Sequence, residues 1–226
     1  MRSREVDATA PGGRTVTRVS APGSAAWWRE HEERLRRRRP HTDGLTLELV
    51  LAEALALVDA EGMDALTVRA LAGRLGTGSS TLYRHVASRD ELLVLLVDAV
   101  LGELRLPDPR LPGRVRVEQL SAELRRVLRG HPHVVPALGG APLLGPNAMR
   151  ASACGLENLL AAGHPPDRAR AAYLALLDYV LGSVAFDAAA GSRGDGGPSS
   201  DEVFAFGLRT FLDGLGEGLS DASSAR

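Results

Sequence analysis

The chain contains no lysine: all 27 of its basic residues are arginine. Together with the many alanines, glycines and leucines, this points to GC-rich codon usage, so an arginine by itself is no functional signal. There is a single cysteine, Cys154. That excludes an intramolecular disulfide framework and a cysteine-based zinc site, and it agrees with a reducing compartment. No unbroken apolar run approaches the roughly 18 residues needed to span a bilayer. The first residues are charged and rich in proline and glycine, where a signal peptide needs an apolar core. These absences predict a cytoplasmic protein without membrane association. No stretch sustains the period-two alternation of a strand, which predicts an all-α fold.

What is present is ordinary in bulk and uneven in detail. Of 226 residues, 44% are hydrophobic and 24% charged, enough for one or two domains with a real core. The formal net charge is -1. Residues 1–44 carry ten arginines against six acids, residues 45–104 four against nine, and residues 105–226 thirteen of each. Within the acidic middle block, all four arginines (Arg69, Arg74, Arg84, Arg89) lie between Asp64 and Asp90. The stretch "TVRALAGRLGTGSSTLYRHVASRDEL", residues 67–92, is therefore a local basic patch in a neutral chain.

The helical grammar around that patch is explicit. In residues 47–58, Leu47, Val50, Leu51, Ala54, Leu55 and Val58 follow one helical face, and Gly62 suits the end of the helix. A second helix starts from Thr67 as N-cap, turns Val68, Leu71, Ala72 and Leu75 inward, and stops at Gly76. Gly76, Thr77 and Gly78 form the connection. A third helix of about two turns begins at Ser79 or Ser80 with Leu82 and Val86 inward. In "SRDE", Ser88 and Glu91 have the spacing of a capping box ahead of a long apolar helix that ends before Pro107. Two short helices joined by a three-residue glycine-containing turn and braced by longer ones are the parts of a helix-turn-helix DNA reader.

At these residues the chain resembles the TetR family of transcriptional regulators. "LTVRALAGRLGTGSSTLYRHVASRDELL" is similar to that family's DNA-binding signature, including "TLYRHV" and the following "SRDELL", and the likeness runs from Leu45 to Leu104. The resemblance implies that Thr67, Tyr83, His85 and Arg89 hold phosphates and that Arg69, Ser79, Ser80 and Thr81 face bases, with Arg84 also on the open side. Thr77-Gly78 in the turn and Arg84 between Tyr83 and His85 depart from the commonest pattern, so the phosphate contacts carry over more firmly than the base assignments. "GHPHVVPALGGAPLLGPNAM" and "DEVFAFGLRTFLDGL" resemble effector-binding domains of the tetracycline-repressor-like branch.

The second half reads as helices over about residues 114–129, 146–162, 166–190 and 201–219. The second of these is expected to turn Met149, Ala153, Leu156, Leu159 and Leu160 inward. The last two are apolar on a wide face and rich in small residues, and the resemblance implies that they pair across a two-fold axis. Candidate residues for an apolar effector pocket are His131, His133, Asn147, Met149, Tyr173 and Phe186. His131, His133 and His164 lack the carboxylate partners of a metal site, so turn histidines are the simpler reading. Cys154 reads as a small hydrophobe rather than a redox sensor.

The expected organisation is a flexible basic N-terminal extension (1–44), a helix-turn-helix domain with its connecting helix (45–104), a helical effector-binding and dimerisation domain (105–220) and a disordered tail (221–226). In "AAWWREHEERLRRRRPHTDG", the run Arg36 to Arg39 is a candidate DNA arm, while Trp27 and Trp28 can instead fold back onto the protein. No paired-carboxylate motif, Gly-x-Ser-x-Gly elbow, phosphate loop or metal-ligand spacing is present, so an enzyme is not expected and no cofactor is implied. The function expected is a ligand-responsive regulator, most simply a repressor. It would bind double-stranded operator DNA as a homodimer and be released by an apolar or amphipathic small molecule. The alternative is a helical protein-interaction or small-molecule-binding module without sequence-specific DNA binding.

Overall fold

The computed structural model describes residues 20–37, 44–139, 143–190 and 197–223, with side chains in the last helix described through residue 216. The described residues are helical throughout, with no strand. The order is α1 (Ala25–Arg37), α2 (Leu47–Glu61), a single 3-10 turn (Met63–Ala65), α3 (Val68–Arg74), α4 (Ser79–Leu82), α5 (Arg89–Gly102), α6 (Gly113–Gly130), α7 (Val135–Leu138), α8 (Pro146–Ala161), α9 (Pro166–Ala190) and α10 (Ser200–Ser223).

The helix ends follow the sequence chemistry. Thr46, Thr67 and Ser88 each accept a hydrogen bond from the backbone N–H three residues on, the geometry of an N-cap. Gly62 and Gly76 take φ values of 85° and 61° where the chain must turn out of a helix. Pro146 occupies the first turn of α8, where its missing N–H leaves no bond unmade.

The helices α2 to α4 form a small head on the N-terminal part of α5, with Val50, Ala54, Leu57, Val58, Leu71, Leu82 and Val86 buried between them. Beyond the head, α5 runs on against α8, and α6, α8 and α9 pack on one another. The buried apolar side chains make one continuous cluster from head to body. Arg125 of α6 ties the ends of α9 and α10 together: it lies 6% exposed, 2.8 Å from Asp187 and 2.5 Å from Asp201. Its guanidinium also lies over the Phe204 ring, 4.6 Å from the centroid.

Three expectations are corrected. Residues 25–37 of the supposed flexible extension form α1, whose Trp27 and Trp28 are buried. Two adjacent indoles carry too much apolar surface to stay in water when a groove is within reach. At the other end α10 stays helical through Ser223, three residues into the expected tail, and residues 224–226 lie outside the described set. The inward face of α8 is not the one with the largest side chains: Met149, Ala153 and Leu160 are exposed, while Ala148, Gly155, Asn158 and Leu159 are buried. Close packing against three neighbouring helices selects small residues there, since a Cβ on Gly155 would sit 2.8 Å from Tyr173 Cε2. Much of "GSRGDGGPSS", read as a flexible break, lies outside the described residues, as do Arg38 and Arg39 of the basic run.

Among the described residues, the segment Pro166–Ala188 of α9 is long and apolar enough to cross a membrane by length and composition, although no unbroken apolar run announces it. Only 22% of its apolar window is buried within the chain.

Gly113, at the start of α6, is buried against the end of α8, and a Cβ there would fall 2.7 Å from Ala162 Cα. Backbone on both sides leaves no side chain to yield. Gly113→Ala is expected to destabilise the fold by about 1–3 kcal/mol, read from the denaturant midpoint. An unchanged midpoint would contradict the close approach of α6 and α8.

Candidate nucleic-acid interface and inner cavity

The head presents one polar face, and its geometry begins with how α3 stops. The N–H of Thr77 donates to Ala72 O at 3.0 Å and that of Gly76 to Gly73 O at 3.2 Å, the paired bonds of a Schellman ending that needs the left-handed Gly76. The chain then re-enters a helix at Ser79. Hydrogen bonds from the N–H groups of Tyr83, Arg84, His85 and Val86 to carbonyls three or four residues earlier carry the turn on to Val86. Two turns therefore exist, the second tighter than the first. Leu82 and Val86, 1% and 3% exposed, hold this segment to the head.

That anchoring decides what faces outward. Ser79, Ser80, Tyr83 and Arg84 are exposed, and Thr81 and His85 are half-buried. Thr67 and Arg69 are exposed at the start of α3. These residues, all expected from the sequence to contact DNA, are brought together on the two helices flanking one turn. Thr67 also caps α3 through Ala70 N–H at 3.1 Å. Arg89 differs in its use: Nε donates to Leu66 O and Nη2 to Met63 O, both at 3.1 Å, so it braces α5 against the segment leading into α3. Arg74 is paired with Glu53 at 3.4 Å.

Helix α5 connects this face to the rest of the molecule and contains two buried carboxylates. Glu91, 4% exposed, accepts from the backbone N–H of Ala87 at 2.9 Å and from Arg34 Nη2 at 3.1 Å, with His31 Nδ1 3.6 Å away. Its own N–H donates to Ser88 Oγ at 3.0 Å. Half of the capping box thus forms as expected, and the other half reaches one residue further back. Burial pushes the Glu91 carboxyl up, but the hydrogen bonds from His31 and Ala87 and the charge of Arg34 outweigh it and leave the group below the ordinary carboxylate range. Seven residues on, Asp98 accepts from the backbone N–H groups of Asn147 and Ala148 at 3.3 and 3.0 Å and so caps α8 from outside.

Helix α1 lies antiparallel along α5 and spans the two carboxylates. Arg34 is at the Glu91 end, and Trp28 is at the Asp98 end beside Gly145. His31 stacks on Trp27 with ring centroids 4.9 Å apart. The sequence offered the two tryptophans as a signal for this contact but not its partners. Arg36 and Arg37 at the end of α1 pair with Glu32 and Glu33 one turn back.

Between α5, α6, α8 and α9 lies a cavity of about 70 Å³. Its walls are Leu101 of α5 and Leu104 just past its end, Val117, Leu120 and Leu124 of α6, Ala148, Ala151 and Leu159 of α8, and Leu176 and Val180 of α9, with Leu143 from the loop before α8. The polar exceptions are Ser121 and a bonded pair, Ser152 Oγ and Tyr173 OH, 2.8 Å apart. No charged side chain is among the lining residues.

Of the six residues expected to line such a pocket, only Tyr173 borders it. Asn147 is engaged with Asp98 through Nδ2 at 3.1 Å. His131 bonds Asp59 and Glu103 at 2.8 and 3.3 Å where α6 ends beside α2 and α5. His133 is exposed, and Met149 and Phe186 are 51% and 68% exposed. The missed lining residues carried a weak signal, small side chains at helical spacing along α8 (Ala148, Ala151, Ser152, Gly155). Burial pushes the Cys154 thiol up, which disfavours a reactive thiolate. No group of three or more His, Cys, Asp or Glu among the described residues is placed to hold a metal.

Against known proteins, the family model described as bacterial regulatory proteins, tetR family, matches residues 50–96, the span from α2 into α5. An HTH-type transcriptional regulator of Saccharopolyspora erythraea is 40% identical over 172 residues, covering 76% of this chain and 70% of that protein. The HTH-type transcriptional repressor DrrR1 of Streptomyces coeruleorubidus is 36% identical over 118 residues, 51% of this chain and 42% of that protein. Among solved structures, the Streptomyces coelicolor TetR family protein ActR in complex with actinorhodin superposes with a TM-score of 0.69 at 28% identity, over 78% of this chain and 98% of that one.

The Glu91 cluster generates a pH-dependent expectation. A carboxyl whose folded pKa lies below its ordinary value of 4.5 contributes stability that is fully present above that value and is lost as pH falls through the folded pKa. At pH 7 Glu91→Gln is expected to be less stable than the parent by about 2 kcal/mol. The gap should narrow as pH falls below 4.5, read by urea denaturation across pH 3–7. A pH-independent gap would show that Glu91 acts through shape and not through charge.

Proposed function

The chain belongs to the tetR family of bacterial regulatory proteins, and from that membership we propose that it is a ligand-responsive repressor that binds a palindromic operator as a homodimer and is released by a small molecule. The observation that carries the reading is the small, polar outer face of the α4 segment, with Ser79 and Ser80 at its start and Tyr83 53% exposed, held in place by buried Leu82 and Val86. Small residues at a helix start allow close approach to base edges, while hydroxyls and arginines around them reach phosphates. In this reading Ser79, Ser80, Thr81 and Arg69 read bases. Thr67, Tyr83, Arg84 and His85 hold the backbone, joined by whatever N–H groups of Arg89 remain outward.

The dimer follows from both DNA geometry and protein surface. Two recognition helices meet successive major-groove faces only if they are about 34–36 Å apart, which a symmetric pair supplies. The surface that favours pairing lies on α9 and α10, where Leu174, Phe186, Val203 and Phe206 are 44–68% exposed. Gly182 and Ala185 of α9 also line an open apolar groove with Val135 and Pro136 of α7. A second copy laid across α9 and α10 would remove this surface from water.

Release follows from differential affinity. A ligand filling the inner cavity presses on Leu101 at the end of α5, the helix whose first turn holds the head, and on Leu104 just beyond it. It prefers a state in which the two α4 segments no longer match the groove spacing, and DNA prefers the other. The uncharged lining favours an apolar effector. DrrR1 is a repressor by name and ActR has been seen in complex with actinorhodin, which supports repression and a small-molecule effector here.

Footprinting and a salt titration on DNA flanking the protein's own coding sequence are expected to reveal a protected palindrome whose affinity falls steeply with salt. Failure to bind DNA even at low salt would favour an interaction module instead. Tyr83→Phe should weaken all sequences alike, whereas Arg69→Ala should change preference at one base pair by about 1–3 kcal/mol. Uniform loss for Arg69→Ala would reject its base-reading role. Light scattering at micromolar concentration should give a dimer for the parent and a monomer for Phe206→Arg. A monomeric parent would remove the α9–α10 interface.

A further inference from the structure

Trp28 is 7% exposed, and its Nε1 has no hydrogen-bond partner among the described residues. An indole N–H is a donor only, so burying it without an acceptor leaves a deficit that an incoming oxygen would relieve. Trp28 borders a small void of about 10 Å³, room for one oxygen-sized atom. Leu143 and Ala148 border this void and also border the inner cavity. The two spaces thus share a wall made of one leucine on a loop and one alanine. Asp98, the carboxylate at the void, already accepts from Asn147 and Ala148 and does not bond Trp28.

We propose, resting on the effector reading above, that the effector site extends past Leu143 to Trp28, and that the Trp28 indole N–H selects a neutral apolar ligand carrying a carbonyl or similar acceptor oxygen. Neutrality follows from Asp98, whose negative charge repels a carboxylate ligand, and from the absence of any cation among the residues lining either space. The donor comes from α1, which lies outside the residues matched by the family model, so this contact distinguishes the chain from regulators without such a helix. Because α1 also grips Glu91 through Arg34, a ligand held by Trp28 acts on the first turn of α5 directly.

The test uses the full-length protein without DNA and three probes of one shape: 9-fluorenone, fluorene and fluorene-9-carboxylate. Calorimetry is expected to show fluorenone binding about tenfold more tightly than fluorene or the carboxylate, the scale of one hydrogen bond. Trp28→Phe should abolish that preference, and Trp27→Phe should preserve it. The chain has two tryptophans, both on α1, so in ¹⁵N-tryptophan-labelled parent protein only two indole resonances arise. Fluorenone should move one of them downfield and fluorene should not, a readout that does not depend on the variant folding. Equal affinities for fluorenone and fluorene, a preference that survives Trp28→Phe, no binding of any probe, or an unmoved indole signal would each overturn the proposal. Since operator footprinting is done without these probes, an intact footprint alongside any such result condemns this contact alone.

Discussion

Two carboxylates buried on one helix constrain everything around them. A charge taken out of water is tolerated only where hydrogen bonds replace the lost hydration, and α5 satisfies that requirement from three directions. Glu91 takes its bonds from the turn that ends the α4 segment and from α1, and Asp98 takes its bonds from the first turn of α8. Sliding α5 relative to any of these would leave an ionised group unsatisfied. The helix is therefore pinned against three neighbours at once, and moving it means breaking specific bonds.

The same arrangement joins the polar face of the head to the inner cavity through one helix. They lie at opposite ends of α5: Leu101 at one end, with Leu104 just past it, is cavity wall, while Arg89 and Glu91 at the other are braces of the head. Apolar side chains alone would let the helix adjust to a new occupant by small repacking. Polar pins convert that adjustment into a choice between keeping and breaking specific bonds.

Sequence made the head legible because its signals are local. Caps at Thr67 and Ser88, the left-handed Gly76 and the inward Leu82 and Val86 all act within a few residues of themselves, and each is found where the spacing predicts it. The cavity was not legible, since its lining depends on which helices meet. Met149 looks like core by hydrophobicity yet faces out, and Ala148 and Gly155 look incidental yet face in. Asn147 resembled a ligand contact but is committed to Asp98, a partner 49 residues away that no periodicity announces. Trp27 and Trp28 fall between these cases: their burial followed from their surface area, while the groove that takes them had to be seen.

Arg125 carries a different implication. By gripping Asp187 near the end of α9 and Asp201 at the start of α10, it fixes both banks of the connection between those helices from a third element. Once the ends are fixed by side chains elsewhere, the intervening residues carry little responsibility for the placement of α10. Closing a longer loop between fixed ends costs only about 0.6 kcal/mol per doubling of length. With α9 and α10 pinned in this way, a longer connection between them is expected to be tolerated, whether it arises by drift between relatives or by deliberate insertion of a reporter domain.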